Sequence, residues 1–560
     1  MPDHTNGQPP RIHFGTSGFR GRWGIEYTES SARATAQGIC DYLSEQGLAG
    51  THLVVGFDSR LHADTAATWV SEVCLGNGFT VHLTERDTPT PTLAYYATVG
   101  LAGERVGGII NCTASHNPVE WHGIKFSPGS GEPAPPHATD AVTRHANRHL
   151  AAGSSLPSTA LDVAAAQGRL HRFDPRTEYC QWLLDAGVDD TRIPLDPDAI
   201  AAFFTPERPV VVDEMHGAGR GYLPWLLDRL GVSYVLLHGT KDPQLGGLHA
   251  ANPEEPNIDL LKRTVQEKRA MIGLGLDTDA DRYGIVGPDG TYFWPNRLLN
   301  LLTYAFGVDR GLNGRLSMSF VTTHLVDDIA GDIPGNEASQ PSPGSLPPHM
   351  RSSDYATIVG DPLDMAPKHA FYVPTGLKNL VLVPQMDRDY NVLSPRPDRW
   401  MDDMLLAGEE AAGLTTRGHV PDKDGIWADL LVLDLMARYQ ASLDEIWRDV
   451  TARYWEPHFD RIFVPATAEI SSILIDSYLR AFEGARPGAR SFAGCPVVYL
   501  GGVPGTYAEF RLADETDGTN NFLHIRPSGT EPLIRVYIEA ESTAALSAIR
   551  DHIVDDVPQS

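Results

Sequence analysis

A strand–helix–strand pattern recurs three times along the chain, and this repeat restricts the fold more than any other feature of the sequence. Each copy starts with a short apolar strand, which is followed by a stretch with helical spacing. Because such units place their strands in one sheet with helices on its faces, we predict three successive α/β domains. In the first copy the strands are 53–57 and 80–83, and the helix between them ends at 75. In the second copy the strands are 209–212 and 233–237, and the helix is 222–230. In the third copy the strand is 316–321, and a helix begins at about 325.

The last hundred or so residues have a different pattern. A helical segment at 471–482 precedes four strand-like segments at 497–500, 507–512, 522–525 and 534–538, and a further helical stretch follows. Strands that follow one another without intervening helices are typical of an α+β domain. We therefore predict a separate C-terminal domain of this class.

The length of the chain agrees with four domains. A chain of 560 residues is too long for one hydrophobic core, and domains of about 150 residues suggest roughly three to five. With 42% hydrophobic and 21% charged residues the composition excludes wholesale disorder. We predict domain boundaries at 1–185, 186–305, 306–455 and 456–560.

One segment does not fit this pattern. Between Gly331 and Asp354 the chain is rich in Pro, Ser and Gly and has no hydrophobic periodicity. Such composition favours an exposed or disordered loop over a packed element. We assign this insertion no chemistry.

The charge and the cysteines restrict the partners and the compartment. A formal charge of −27, without clusters of Lys and Arg, argues against nucleic acids and anionic membranes as partners. The five cysteines are widely spaced and form no CxxC pair, so neither a disulfide framework nor a zinc site is predicted. The polar N-terminus and the lack of a long apolar run lead us to expect a cytoplasmic protein.

The segment Thr113-Ala114-Ser115-His116-Asn117-Pro118 follows an apolar strand at 106–110 and places a hydroxyl in a turn. This is a suitable position for a nucleophile. An unassisted serine is a poor nucleophile, so Ser115 needs a nearby base or a different covalent state. The alternative interpretation is an ordinary Asn-Pro turn.

The segment Asp277-Thr278-Asp279-Ala280-Asp281-Arg282 sets three carboxylates at alternate positions between two strand-like stretches, 271–276 and 283–286. Carboxylates on such a loop can converge on one cation, and oxygen ligands favour Mg²⁺ over zinc. Alternatives are a solvated acidic loop or a calcium loop, but the glycine and distal glutamate of an EF-hand are missing. A magnesium ion here could bridge a phosphate carried on Ser115.

The segment Arg526-Pro527-Ser528-Gly529-Thr530-Glu531-Pro532 offers a guanidinium, two hydroxyls and a glycine. Charge-assisted and backbone donors in such a turn suit a phosphate monoester. A simple turn between two strands is the alternative. Taken together, the three segments indicate phosphoryl transfer.

In this order and spacing, the three segments resemble the α-D-phosphohexomutase superfamily, which contains the phosphoglucomutase and phosphomannomutase enzymes. The resemblance spans nearly the whole chain. It also covers Phe14-Gly15-Thr16-Ser17-Gly18-Phe19-Arg20-Gly21, Gly123-Ile124-Lys125, Thr375-Gly376-Leu377-Lys378 and Asp422-Lys423-Asp424-Gly425.

The resemblance implies a four-domain enzyme in which three related α/β domains with mixed sheets and a C-terminal α+β domain surround a central cleft. It implies that Ser115 carries a phosphate and, with Asp277, Asp279 and Asp281, binds Mg²⁺. The phosphoserine would phosphorylate a hexose phosphate, and glucose 1,6-bisphosphate would be the intermediate and activator.

The resemblance also implies the remaining site residues. Candidates for proton transfer around the reacting centre are Arg20, His116, Lys125 and Lys423. A lysine acting as a base needs a lowered pKa, and charge compensation is the alternative role. The expected substrate-binding residues are Thr16, Ser17, Arg282, Thr375, Gly376, Lys378, Glu409, Arg526, Ser528, Gly529 and Thr530.

The sugar-recognition loop departs from the family pattern. The family usually has Gly-Glu-Glu-Ser-Gly, whereas this chain has Gly408-Glu409-Glu410-Ala411-Ala412-Gly413, so Ala411 stands where a serine hydroxyl binds the sugar. The loss of one such contact costs about 0.5–1.5 kcal/mol. The following Gly418-His419-Val420-Pro421 is similar to phosphoglucomutase-type members and favours glucose over mannose.

The leading hypothesis is a magnesium-dependent phosphoglucomutase that interconverts glucose 1-phosphate and glucose 6-phosphate. A mutase for phosphomannose, phosphopentose or an unusual sugar is the first alternative, because of Ala411. A phosphatase and a non-catalytic sugar-phosphate-binding paralogue are the others; a closed cleft that excludes water argues against hydrolysis. We expect small sugar phosphates as partners and a monomer or a dimer.

Overall fold

The structure is a computed structural model that describes residues 11–15, 18–153, 155–186, 191–337, 344–365, 369–392, 400–513, 520–528 and 532–556. The chain forms two compact units, one of residues 1–294 with 411–443 and one of residues 295–410 with 444–560. Among the helices of these described segments, none is both long enough and apolar enough to cross a lipid bilayer.

The first sheet of the first unit has seven strands in the order β1-β2-β6-β5-β3-β4-β7. Strands β5, β3, β4 and β7 run parallel, and β1, β2 and β6 extend the sheet in antiparallel fashion. The strands are β1 (Phe14–Gly15), β2 (Gly18–Arg22), β3 (His52–Phe57), β4 (Thr80–Thr84), β5 (Val106–Cys112), β6 (Trp121–Pro128) and β7 (Leu170–Phe173). The helices are α1 (Glu29–Glu45), α2 (Ala63–Gly76), α3 (Thr90–Tyr95), α4 (Pro136–Ala152), α5 (Leu161–Ala166) and α6 (Arg176–Leu184).

Local sequence explains where these helices begin. Thr28 caps α1: its side chain accepts a hydrogen bond from the Ser31 amide, and the Ser31 hydroxyl accepts one from the Thr28 amide. This reciprocal arrangement satisfies amides that would otherwise have no partner in the first helical turn. Helices α1, α2 and α4 contribute apolar side chains to one core together with the strands of the sheet.

The second sheet of the first unit has the order β12-β11-β10-β8-β9 and is also mixed. Its strands are β8 (Val210–Asp213), β9 (Tyr234–Leu237), β10 (Ile272–Leu276), β11 (Tyr283–Val286) and β12 (Tyr292–Phe293), and its helices are α7 (Pro197–Phe203), α8 (Tyr222–Leu230) and α9 (Asp259–Lys268). Strands β10 and β11 pair antiparallel on either side of the three aspartates. The predicted strand–loop–strand setting of these carboxylates is confirmed.

The second unit opens with a sheet of parallel strands in the order β15-β13-β16. In chain order, this first part of the second unit contains α10 (Pro295–Thr303), β13 (Arg315–Ser319), α11 (Leu325–Gly331), β14 (Ala356–Val359), β15 (Phe371–Val373), α12 (Leu377–Leu380) and β16 (Met404–Glu409). Of these strands, β14 belongs to the C-terminal sheet. The chain then contributes β17 (Gly413–Thr416) and α13 (Gly425–Tyr439) to the first unit, and α14 (Leu443–Thr451) follows.

The C-terminal sheet of the second unit has the order β14-β20-β21-β22-β23-β18, with β19 beside β20. Its elements are β18 (His458–Pro465), α15 (Ala468–Ala481), β19 (Ser491–Phe492), β20 (Cys495–Val503), β21 (Tyr507–Leu512), β22 (Asn521–Pro527), β23 (Leu533–Ala540) and α16 (Thr543–Asp556). Helices α15 and α16 cover one face and share an apolar core with the strands. The predicted α+β class of this region is confirmed.

The Pro/Ser/Gly-rich insertion differs from the prediction. We expected residues 331–354 to form an exposed or disordered loop, but Ser345 and Met350 are buried, and Nε2 of His349 lies 3.1 Å from Oε2 of Glu509 on β21. The following residues form β14, which adds an edge strand to the C-terminal sheet. That interpretation was wrong for 345–350, because this packed segment contains only a short 3-10 helix, Pro348–Arg351, and one turn of helix gives no periodicity to detect. Residues 351–354 are exposed, and 338–343 lie outside the described residues.

Candidate functional site

Ser115 lies in the turn that follows β5 and is almost fully buried. Its backbone has a φ of 52°, which a non-glycine residue adopts only when its surroundings hold it there. The amide of Ser115 donates to Oγ1 of Thr113 at 2.8 Å, and this bond closes the turn. This bond and the φ value fix the backbone from which the Ser115 hydroxyl projects.

Arg60 holds this serine turn through its backbone carbonyl oxygens. Its guanidinium donates to the carbonyl oxygens of Ser115, Asn117 and Pro118, at 2.6 Å for Asn117 and 2.7 Å for Pro118. Asp58, which directly follows β3, lies 3.2 Å from Nε of Arg60, and both side chains are fully buried. Sequence reasoning missed Arg60, although its position just beyond a predicted buried strand was a usable signal.

The three aspartates meet in one place. Oxygen atoms of Asp277, Asp279 and Asp281 all lie within 4.8 Å of one another, and all three side chains are buried. The Ser115 hydroxyl donates to Oδ2 of Asp277 at 3.2 Å. The loop from β10 to β11 therefore brings the carboxylates directly to the candidate nucleophile.

These carboxylates suit a hard divalent cation. Oδ1 of Asp279 and Oδ1 of Asp281 are buried and accept no hydrogen bond from the described residues. Buried oxygens without a donor are costly unless a cation or water satisfies them. An oxygen-only donor set of this kind fits Mg²⁺, with Asp277, Asp279 and Asp281 as the protein ligands and Ser115 beside them.

Two lysines compensate the negative charge of the aspartates. Nζ of Lys125 donates to Oδ2 of Asp279 at 2.6 Å and to Oδ2 of Asp281 at 2.7 Å, and Nζ of Lys423 lies 3.4 Å from Oδ2 of Asp281. Burial opposes the charge of Lys125, but Asp279, Asp281 and Asp422 outweigh burial and hold its pKa well above the ordinary value. In this arrangement Lys125 is a cation that compensates the charge of the aspartates.

Arg20 and His116 lie in the same charged cluster. Burial, together with the nearby Arg282, lowers the pKa of Arg20 to about 10, and Nη1 of Arg20 donates to Oδ1 of Asn117. Burial and the neighbouring cations Arg282, Arg20 and Lys423 hold the pKa of His116 well below its ordinary value. His116 is therefore neutral at physiological pH, with Nδ1 3.3 Å from the Ser115 hydroxyl.

A second group of predicted residues lies in the second unit, at the end of β22. The Arg526 guanidinium donates to the Tyr537 hydroxyl at 2.8 Å, and the Ser528 amide donates to the Leu533 carbonyl at 2.9 Å, which closes the turn. Arg535 on β23 is the direct cross-strand neighbour of Arg526. Sequence reasoning missed Arg535, because only strand pairing places it beside the predicted phosphate turn.

The remaining predicted residues of the second unit lie at the carboxyl ends of its parallel strands. Glu409 is the last residue of β16 and is buried. Thr375 and Gly376 follow β15, and Lys378 lies in the first turn of α12; Gly376 has a φ of 107°, which favours glycine. Strand ends of this kind are the usual ligand-binding edge of an α/β sheet.

The structure therefore sorts the predicted site into two groups. The first unit brings together Ser115, His116, Arg20, Lys125, Lys423, Arg282, Asp277, Asp279 and Asp281. The second unit carries Thr375, Gly376, Lys378, Glu409, Arg526 and Ser528. Thr16, Ser17, Gly529 and Thr530 lie outside the described residues.

Four segments of the chain match the domains of one protein family. Residues 11–152 match phosphoglucomutase/phosphomannomutase alpha/beta/alpha domain I, residues 198–290 match domain II, residues 369–454 match domain III, and residues 502–556 match the C-terminal domain. The domain order is the one that the sequence predicted. The boundaries at 185, 305 and 455 remain a prediction.

Individual relatives agree with this assignment. A phosphoglucomutase from Komagataeibacter xylinus is 26% identical over 98% of this chain and 91% of its own length. Phosphoglucomutase 1 from Drosophila melanogaster is 26% identical over 81% of this chain and 74% of its own. The crystal structure of a phosphomannomutase-like protein from Thermus thermophilus matches with a TM-score of 0.71 over 98% of this chain and 99% of its own, at 23% identity, and so shares the fold.

The fold, the buried serine beside three aspartates and the four matched domains lead to one conclusion. This chain belongs to the phosphoglucomutase/phosphomannomutase family, has its four-domain phosphohexomutase architecture, and is a mutase that changes the position of a phosphoryl group on its substrate.

Proposed function

We propose that this chain is a phosphoglucomutase that interconverts α-D-glucose 1-phosphate and glucose 6-phosphate through phosphorylated Ser115, with glucose 1,6-bisphosphate as intermediate and activator. The observation that carries the proposal is the Ser115 hydroxyl 3.2 Å from Asp277, within the group of three buried aspartates. The phosphoglucomutase relatives that span most of the chain support glucose as the sugar.

In the proposed cycle a hydroxyl oxygen of the sugar phosphate attacks the phosphorus on Ser115. The new bond forms to the sugar oxygen and the bond from phosphorus to Oγ breaks. The sugar hydroxyl proton passes to a basic group of the cluster, and Oγ of Ser115 takes up a proton as it leaves. After the bisphosphate turns over, Ser115 takes up the other phosphate. Mg²⁺, when bound by Asp277, Asp279 and Asp281, supplies charge neutralisation of the transferred group.

The other residues of the first unit orient the aspartates and compensate their negative charge. Lys125 and Lys423 keep the aspartate oxygens in place, and Arg20 and Arg282 add positive charge beside the Ser115 turn. His116 is neutral and lies next to the hydroxyl, so we assign it as the acceptor of the Ser115 hydroxyl proton when Oγ attacks the phosphorus of the bisphosphate and the phosphoserine forms again. In the second unit we assign Arg526, Ser528, Gly529 and Thr530 to the distal phosphate, and Thr16, Ser17, Thr375, Gly376, Lys378 and Glu409 to binding of the sugar phosphate.

A mutase for another sugar phosphate is the second candidate, because Ala411 lacks the hydroxyl that the family usually offers to the sugar. A coupled assay across glucose, mannose, pentose and glucosamine 1-phosphates decides between them. We expect glucose 1-phosphate to have the highest kcat/KM. A preference of more than about tenfold for another sugar, which is about 1.4 kcal/mol, would overturn glucose.

We further propose that the protein acts in the cytoplasm. All five cysteines are free thiols in the structure, and the sulfur atoms of Cys40 and Cys74 lie 3.8 Å apart without a disulfide bond. Free buried thiols persist in a reducing compartment. Fractionation of cells, with the activity followed in each fraction, tests this proposal, and recovery outside the cytoplasm would contradict it.

A further inference from the structure

The aspartate loop between β10 and β11 is held from two sides. On one side Thr90, the first residue of α3, donates from its hydroxyl to Oδ2 of Asp279 at 2.6 Å and from its amide to the Asp279 carbonyl at 3.0 Å. On the other side the amide of Ala218, in the loop after β8, donates to the Thr278 carbonyl at 2.7 Å. Both neighbouring loops therefore bind the backbone or side chains of the candidate metal ligands.

Arg220 joins these two supporting loops. Its Nη2 donates to Oδ2 of Asp87, three residues before Thr90, at 2.6 Å, and both side chains are more than nine-tenths buried. Its Nη1 donates to the His216 carbonyl at 2.7 Å and to the Gly217 carbonyl. Together with the chain segments 87–90 and 216–220, these bonds close a ring from the aspartate loop through Thr90, Asp87 and Arg220 back to the aspartate loop.

The loop after β8 needs this support. Met215 and His216 have consecutive φ values of 41° and 57°, a strained conformation for non-glycine residues that persists only where the surroundings impose it. Gly217 lies so close to the aspartate loop that an added Cβ would be 2.8 Å from the Asp277 carbonyl oxygen. The Arg220 bonds to the His216 and Gly217 carbonyls hold this loop against the aspartate loop.

We propose that Arg220 and Asp87 are a positioning pair that keeps the aspartate loop in its cation-binding geometry. The inference rests on the proposed function, in which this loop binds a divalent cation. Outer residues that orient metal ligands typically change metal affinity 10–100-fold when they are replaced. The pair has no contact with the serine hydroxyl among its described hydrogen bonds, so its effect reaches the chemistry through the loop.

The test measures binding of Mn²⁺, as a probe for Mg²⁺, to the full-length protein without sugar, by calorimetry or electron paramagnetic resonance. We expect R220M and D87N each to weaken Mn²⁺ binding at least tenfold, and the double variant to be no weaker than the worse single variant. R33M is the matched control, because Arg33 forms a comparable 2.6 Å ion pair with Glu72 between α1 and α2, away from the loop. It should change Mn²⁺ affinity less than twofold.

Mn²⁺ binding by R220M equal to that of the parent overturns the proposal. If R220M does not fold, R220K keeps the charge but cannot reach the Asp87 carboxylate and both carbonyls together, and we expect at least threefold weaker binding. An unchanged R220K contradicts the pair's role. In activity assays the half-saturating Mg²⁺ concentration should rise while KM for glucose 1-phosphate stays within twofold. A parent that binds Mn²⁺ but does not turn over glucose 1-phosphate contradicts the proposed function and leaves this inference intact.

Discussion

The hydroxyl of Ser115 donates to a carboxylate oxygen of Asp277 at 3.2 Å, although 162 positions separate the two residues in the chain. Each residue sits on a loop that leaves the carboxyl end of a strand, β5 for the serine and β10 for the aspartate. The first unit therefore places a nucleophile and its acidic neighbours together by strand topology, not by sequence proximity.

Replacement of this serine should abolish transfer. We expect Ser115→Ala to lower kcat at least about 1,000-fold, because the proposed cycle carries the phosphate on the Ser115 oxygen. Intact mass after treatment with glucose 1,6-bisphosphate should show one added phosphate on the parent and none on the variant. Ser71→Ala removes a buried hydroxyl on α2 that has no hydrogen-bond partner among the described residues, and it should keep full phosphorylation. Phosphate on the Ser115 variant would place the carrier elsewhere.

Arg60→Lys should disturb the serine turn without removing its charge. Lysine cannot bond three separate carbonyl oxygens and Asp58 as the guanidinium does. We expect kcat to fall about 10–100-fold, with faster amide exchange in residues 113–118, followed by hydrogen-exchange mass spectrometry. Amide exchange and kcat equal to those of the parent would show that the turn keeps its shape without the Arg60 guanidinium.

A methyl group at Gly217 should displace the aspartate loop. An added Cβ would lie 2.8 Å from the Asp277 carbonyl oxygen and 3.0 Å from the Thr278 carbonyl oxygen, so backbone has to shift. We expect Gly217→Ala to lower kcat/KM at least tenfold when assayed at fixed Mg²⁺. Gly331→Ala, whose nearest neighbour is a side-chain atom at 3.4 Å, is the control and should stay within twofold of the parent. Equal activities of the two variants would contradict this account.

Restoration of the family's hydroxyl should strengthen sugar binding. We expect Ala411→Ser to lower KM for the preferred sugar phosphate by about two- to tenfold, the equivalent of about 0.5–1.5 kcal/mol for one added hydrogen bond. KM values for glucose 1-phosphate and mannose 1-phosphate, measured on parent and variant, show whether the gain is specific. An unchanged KM for both sugars would mean that this position does not contact the substrate.

The buried Glu539 should make stability depend on pH. Burial raises its pKa to about 7 from an ordinary 4.5, although the His324 amide donates to it at 3.0 Å. Between these two pKa values the folded protein keeps a proton on Glu539 that the unfolded chain loses. The contribution of this group to the free energy of unfolding is therefore full below pH 4.5 and disappears as pH rises to about 7. It amounts to at most about 3 kcal/mol.

Urea unfolding between pH 4.5 and 8 measures this dependence. We expect the parent to lose stability over that interval and Glu539→Gln, which cannot ionise, to lose less. If the free energy of unfolding falls with pH equally in parent and variant, the pH dependence belongs to other groups.

Much of this protein could be read from local sequence. The strands at 53–57, 209–212 and 316–321 and the four C-terminal strands are short apolar runs between turns, and each forms where it was predicted. The family motifs located the serine turn, the aspartates and the Arg526 turn in the same way. Local patterns suffice here because strand burial and turn formation depend on residues that are adjacent in the chain.

Contacts between distant segments required the tertiary structure. The sequence alone determined the element types, the domain order and the candidate nucleophile and cation ligands. Only the folded chain decided that Arg60 holds the serine turn, that Arg220 and Asp87 join the loops around the aspartates, that Arg535 lies beside Arg526, and that Lys125 is a charged partner of Asp279. The physical reason is that burial, pKa and hydrogen-bond partners depend on which residues meet across sheets and loops, and neither spacing nor composition encodes those distances.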